Sequence, residues 1–342
     1  MKKITSVICF FLLLCAIISV NAQSTKSGYR ISNRIHLDGN GGWDYLTVDA
    51  ANNRLFVSHG NIVQVVDIQK GTLLATIEST KGVHGIALAT DLNKGFISCG
   101  KDSSVVVFDL TSYKVIERIR VTGANPDAIL YDPYKKIVFT FNGRSANTTV
   151  LDATTHKVIA TIPLDGKPEF SVSDKKGKVY VNNEDKSLVN VINTNTLKVE
   201  NSWSLAPGEE PSGLALDNET HRLFLVCSNK IMVVMNALTG KVITTLPIGD
   251  RCDGVAFDPA TKQAFSSNGD GTMTVVQENA NDTYTVVENV ITQKGARTIA
   301  VNPLTHKLYL PTAEFETPVG NARPAIKSGT FVILEIEPNS NK

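Results

Sequence analysis

The chain has 342 residues, 42% of them apolar, enough to bury a packed core in one large or two ordinary domains, which excludes a disordered tail. Its formal charge is +1, from 34 basic and 33 acidic side chains. Phosphate binding normally leaves a basic surplus, so nucleic acid is not expected as the main partner.

Residues 1–22 read as an export signal. Lys2 and Lys3 open it, the apolar run "ITSVICFFLLLCAIISV" follows, and Val20, Asn21 and Ala22 give the small-x-small pattern that a signal peptidase reads before Gln23. The run is marginally short for the roughly 20 residues of a membrane span, which favours cleavage over anchoring. Leu14 before Cys15 argues against lipidation, because that position is normally small. The exported chain is therefore expected in a bacterial periplasm or outside the cell, with no membrane span. It keeps Cys99, Cys227 and Cys252. Their wide spacing makes neither a metal motif nor a disulfide framework, so buried free thiols are expected even in an oxidising compartment.

The segment "YRISNRIHLDG" at 29–39 reads as a lone strand, and "GNGG" at 39–42 as the turn that follows it. From residue 44 the sequence repeats. The copies are "DYLTVDAANNRLFVSHG" from 44, "HGIALATDLNKGFISCG" from 84, "DAILYDPYKKIVFTFNG" from 127 and "EFSVSDKKGKVYVNNED" from 169, then "SGLALDNETHRLFLVCS" from 212, "DGVAFDPATKQAFSSNG" from 253 and "RTIAVNPLTHKLYLPTA" from 297. Their starts lie 40, 43, 42, 43, 41 and 44 residues apart. Each copy runs strand, Asp/Asn/Pro turn, strand, polar loop, β-branched strand such as "SVVVFD", turn such as "LTGK", and strand such as "VITTLP". No helical period intervenes.

Four short antiparallel strands at such a period predict an all-β, seven-bladed β-propeller occupying residues 23–342 as a single domain. The seventh copy supplies "KLYLP" and "GTFVILE" but no fourth strand. The lone strand at 29–39 resembles fourth strands such as "KVIERIRVTG" and is expected to complete blade seven, closing the ring and removing its open edges.

The stretches "VNVINTNTLKV", "VVMNALTGKVI" and "VYVNNED" resemble repeats of the YVTN β-propeller family, common among exported bacterial proteins, over residues 30–338. That resemblance implies the propeller fold and leaves the role open, since members serve varied roles. "CDGVAFDPATKQAF" is distantly similar to a blade start in gluconolactonase-like propellers, where such an Asp ligates a metal beside a Glu and an Asn. Carried over, it implies Asp253 with Glu169 and Asn182 or Asn142.

Function in this fold is expected on the face where first strands begin. The residues opening the copies are Asp44, His84, Asp127, Glu169, Ser212, Asp253 and Arg297. They are expected to ring the mouth of the central channel. Polar side chains there also suit a water-filled channel. Together they offer a ligand site in which carboxylates and His84 bind a divalent cation and Arg297 steers an anion. Oxygen ligands alone favour calcium or magnesium, whereas adding His84 shifts preference to zinc or manganese. A second set, His59, Cys99, Asn142, Asn182, Cys227 and Asn268, ends the second strands and reads as loop scaffold. Blade seven carries the long loop 312–329, whose Phe315, Arg323 and Lys327 suggest a lid or partner edge.

Two functions are expected of such a chain. One is an exported, monomeric binding module for a small molecule or a cell-envelope component or protein. The other is a metal-dependent lactonase-type hydrolase, with metal-polarised ester attacked by water. Neither a G-x-S-x-G elbow nor a haem signature is present.

Overall fold

The computed structural model describes residues 28–318 and 324–339. The segment read as an export signal and Arg323 lie outside the described residues. Seven four-stranded antiparallel sheets are formed, six of them from consecutive strands of one copy. The first strands of neighbouring blades pack against one another at the centre. The fourth strands form the rim, as in Thr72–Ile77 and Val115–Arg120, which are largely exposed. Among the described residues no helix is long and apolar enough to cross a membrane.

The turns follow from the side chains at strand ends. Asp67, Asp109, Asp152, Asn193 and Asn236 end the third strands of blades one to five. Each accepts, on its own Oδ1, the backbone N–H of the residues two and three further on. This fixes a tight turn into the fourth strand. Gly71 and Gly240 then take positive φ of 67° and 72°, a conformation that costs glycine nothing.

The middle strands read as nearly continuous apolar runs because each sheet is covered on both faces. In Arg54–His59 and Ser104–Asp109 residues of both faces are buried. Every second strand carries an aromatic ring at one equivalent site: Phe56, Phe96, Phe139, Tyr180, Phe224, Phe265 and Tyr309, all buried. The apolar residues gather into seven clusters, one at each junction between neighbouring blades. Truncating one of the fully buried phenylalanines to Ala would cost about 3–5 kcal/mol. On the opposite face from the channel mouth, polar latches join adjacent blades: Ser173 to Asp132 at 2.8 Å, His306 to Asp258 at 2.7 Å and Lys262 to Asp217 at 3.2 Å.

Closure is as expected. Tyr29–His36 pairs antiparallel with Val332–Pro338 and supplies the fourth strand of blade seven. Tyr29, Ile35 and Leu37 are buried against blades six, seven and one. The innermost strand of blade seven is the shortest, only Ala300–Val301. Three buried side chains contribute on the order of 5 kcal/mol. Deleting residues 29–37 is therefore expected to lower the melting temperature by about 10 °C or more, at ~2 °C per kcal/mol. An unchanged melting curve in differential scanning calorimetry would contradict the closure.

Candidate site at the channel mouth

A backbone irregularity aims the candidate residues. In six blades the first strand carries one extra residue against the second. The register slips between Trp43 and Leu46, Val83 and Ile86, Pro126 and Ile129, Pro168 and Ser171, Pro211 and Gly213, and Cys252 and Gly254. Such a bulge bends the strand and redirects side chains. The bulged segments hold Asp44, His84, Asp127, Glu169, Ser212 and Asp253, the residues that open the repeats. Ladder amides displaced by the bulges are bonded by side chains of the second strand: Asp44 N–H to Ser58 Oγ at 2.9 Å, Gly85 N–H to Ser98 Oγ at 2.8 Å and Phe170 N–H to Asn182 Oδ1 at 2.7 Å.

The register separates Asn182 from its supposed equivalents. Asn142 and Asn268 face Pro126 and Cys252, and the residue facing Pro168 is Asn183. Asn182 is thus one residue out of step, on the other face of the sheet. Its amide oxygen is taken by the backbone beside Glu169. Asn142 and Asn268 bond to the threonines of their own third strands, Thr149 and Thr274. His59 is buried, holds Gln64 at 2.9 Å and lies 4.0 Å from the Phe331 ring. Cys99, Cys227 and Cys252 are buried free thiols.

Three of the seven mouth residues converge. His84 Nδ1 lies 2.6 Å from Asp44 Oδ2 and 3.4 Å from Asp127 Oδ1, and one ligand atom from each lies within 4.8 Å of the others. The imidazole fits because residue 100 is glycine: a Cβ there would lie 2.7 Å from His84 Nε2. Among the described residues no group donates a hydrogen bond to the Asp127 carboxylate, although its side chain is only 13% exposed. The remaining charges have their own partners. Arg297 ion-pairs with Asp253, donates to Trp43 O at 2.9 Å and reaches within 3.8 Å of Asp44. Lys167 lies 3.2 Å from Glu169 and also ion-pairs with Glu184. Ser212 is buried and donates to Cys252 O at 3.0 Å, so it carries scaffold.

Burial disfavours a charged His84, but the hydrogen bond to Asp44 and the charges of Asp127, Asp44 and Glu169 outweigh it and raise its pKa to about 8. Burial also raises Asp127, helped by Asp44 and Glu169 and opposed by His84 and Lys167. Glu169 is raised by burial against the pull of Lys167.

Beneath the mouth the channel closes. The residues that follow the ring, Tyr45, Gly85, Ala128, Phe170, Gly213, Gly254 and Thr298, line the centre together. Tyr45 and Phe170, from blades one and four, meet there with ring centroids 5.0 Å apart, and Tyr45 Oη donates to Glu169 O at 3.4 Å. The glycines admit this close approach: a Cβ on Gly213 would lie 2.9 Å from Val255 N. The space left is about 80 Å³, far below the ~300–1,000 Å³ of ordinary ligand pockets. The mouth is a cup with a floor. Tyr45, Phe170 and Lys167 were not among the expected site residues. The first two were legible as the second column of the repeat, which reads Tyr, Gly, Ala, Phe, Gly, Gly, Thr.

The blade-seven loop folds back beside blade one. Phe315 and Ile326 form an antiparallel bridge, Lys327 pairs with Glu314 at 2.9 Å, and Phe315 stands 6.1 Å from the Trp43 ring.

No family model matches the chain, and no curated protein matches it. Among solved structures the chain is similar to the hydrazine synthase of Kuenenia stuttgartiensis, with a TM-score of 0.71 and 16% identity over 80% of this chain and 94% of that one. It is also similar to U3-55K, with a TM-score of 0.77 and 9% identity over 90% of this chain and 99% of that one. Both likenesses concern the propeller fold.

His84 and Asp127 hold protons more tightly folded than unfolded, so raising the pH withdraws stability. The His84 contribution is full below its unfolded value of ~6.5 and lost as pH rises through about 8. In chelator-treated protein the melting temperature is expected to fall across pH 6.5–8.5, and Asp127→Asn to flatten that fall. A wild-type curve level across this window, measured by thermal denaturation, would contradict it.

Proposed function

We propose that this protein is an exported, non-catalytic binding module that takes a positively charged group of a small molecule or cell-envelope component at the floored channel mouth. β-Propellers are in general binding scaffolds, and this one offers a rigid cup. The observation that carries the reading is the convergence of Asp44, His84 and Asp127 from three successive blades, with one histidine between the two carboxylates. Carboxylates at the mouth outnumber the fixed cations Arg297 and Lys167, so a ligand bringing positive charge is favoured. Export rests on the signal-like residues 1–22 and on the resemblance to exported YVTN propellers, and a monomer is the expected state.

The hydrolase reading draws less support. It would gather Glu169, Asp253 and Asn182 around one ion, yet Lys167 holds the first, Arg297 the second, and a backbone amide the third. A thermal-shift screen of polyamines, amino sugars and amino-sugar cell-wall fragments tests the proposal. Ligand at a hundred times its Kd stabilises by ~2.7 kcal/mol, about 5 °C here. At least one compound is expected to raise the melting temperature of the wild type and not of Asp127→Asn. No such compound, or lactone hydrolysis lost in Asp253→Ala and Glu169→Ala, would overturn it.

A further inference from the structure

We infer that Asp44, His84 and Asp127 form the protein side of a site for one divalent metal ion of the zinc or manganese type. The inference rests on the channel mouth being the binding site and says what supplies the positive charge there.

Four observations carry it. The donors come from three successive blades, and their ligand atoms all lie within 4.8 Å of one another. Bonds of ~2.0–2.2 Å to tetrahedral zinc place ligand atoms roughly 3.3–3.6 Å apart, so the 3.4 Å between His84 and Asp127 already fits and the 2.6 Å between His84 and Asp44 must open. Each donor is held from behind. The Asp44 amide is bonded to Ser58, the Asp127 carbonyl accepts from Ser98 at 2.5 Å, and Gly100 clears the space for the imidazole.

The second observation is independent of spacing. The Asp127 carboxylate, 13% exposed, receives no hydrogen bond among the described residues; its nearest cationic group is His84 at 3.4 Å, itself bonded to Asp44. A largely enclosed carboxylate short of donors is costly, and a bound cation satisfies it. Asp253 has Arg297 as an ion-pair partner and Glu169 has Lys167, although Glu169 Oε2 is buried without a hydrogen bond.

The third is charge: two carboxylates and a neutral imidazole carry the two negative charges that a divalent ion neutralises. The fourth is donor type. One imidazole with two carboxylates favours zinc or manganese over calcium or magnesium, which prefer all-oxygen sets. Three protein ligands also leave positions for water or for a group of the ligand.

The test is metal alone. Chelator-stripped protein is titrated with zinc and with manganese by calorimetry, and cobalt is added for its visible spectrum. One equivalent is expected to bind with a Kd of 10 µM or tighter and to give cobalt absorption of four- or five-coordinate intensity. Asp127→Asn and His84→Asn are expected to weaken binding at least tenfold. His306→Asn, which breaks the Asp258–His306 pair on the opposite face, should bind as the wild type does. Folding of each variant is checked by circular dichroism. Binding weaker than about 1 mM, or binding unchanged in Asp127→Asn and His84→Asn, would overturn the inference. If stripped protein still binds an organic cation while no metal binds, this inference fails and the binding-module reading stands. If metal binds and no further ligand does, the reverse holds.

Discussion

Each blade is a sheet with two apolar faces, and everything else in the molecule depends on giving both faces a neighbour. Phe56 and Val65 of blade one pack towards blade two while Leu55 and Val57 pack towards blade seven. A row of such sheets would end on two uncovered faces. Bending the row into a ring removes both, and the Tyr29–His36 strand, laid on Val332–Pro338, locks the last sheet to both ends of the chain. Seven junctions of similar composition then share the load, so no single blade can move without opening two of them.

That rigidity permits the chemistry at the mouth. A carboxylate such as Asp127, largely enclosed and with only His84 beside it, would turn out to water if its strand could shift. It stays because the bulge that presents it is bonded through Ser98 of the previous blade and clamped between blades two and four. The cost, on the order of a few kcal/mol for a buried polar group lacking partners, is small against seven apolar junctions. The floor made by Tyr45 and Phe170 adds to this by joining blade one to blade four across the axis. The channel is thereby closed beneath the mouth.

Much of the architecture was legible because it is periodic. A copy every 40 to 44 residues, four strands per copy and a missing last strand are statements about spacing, and spacing survives sequence divergence. The ring of residues opening the copies was legible for the same reason. Which members of the ring meet was not, because that depends on side-chain direction across three sheets that share no hydrogen-bond ladder. Asn182 illustrates the limit. Blade four is one residue shorter between its first and second strands, so the place held by Asn142 and Asn268 falls on Asn183 rather than Glu184; Asn182 is one residue short of it, and a single-residue error reverses the face of the sheet. Lys167 lies two residues before the ring position, outside the repeated column, and no pattern in the copies marks it.

The mouth divides by where the fixed cations stand. Arg297 sits opposite Asp253 and Lys167 opposite Glu169, so blades four, six and seven bring their own neutralisation. In blades one to three Asp44 has Arg297 only at 3.8 Å, and Asp44 and Asp127 share a single histidine whose charge depends on its surroundings. Ser212 of blade five is neutral and spent on the backbone. A symmetric fold has thus produced an asymmetric cup, with fixed cations beside Asp253 and Glu169 and a shared histidine between Asp44 and Asp127. In a scaffold this stiff, the proposed binding at the arc from Asp44 to Asp127 draws on groups whose positions the fold fixes and whose charges only a histidine and a distant arginine offset.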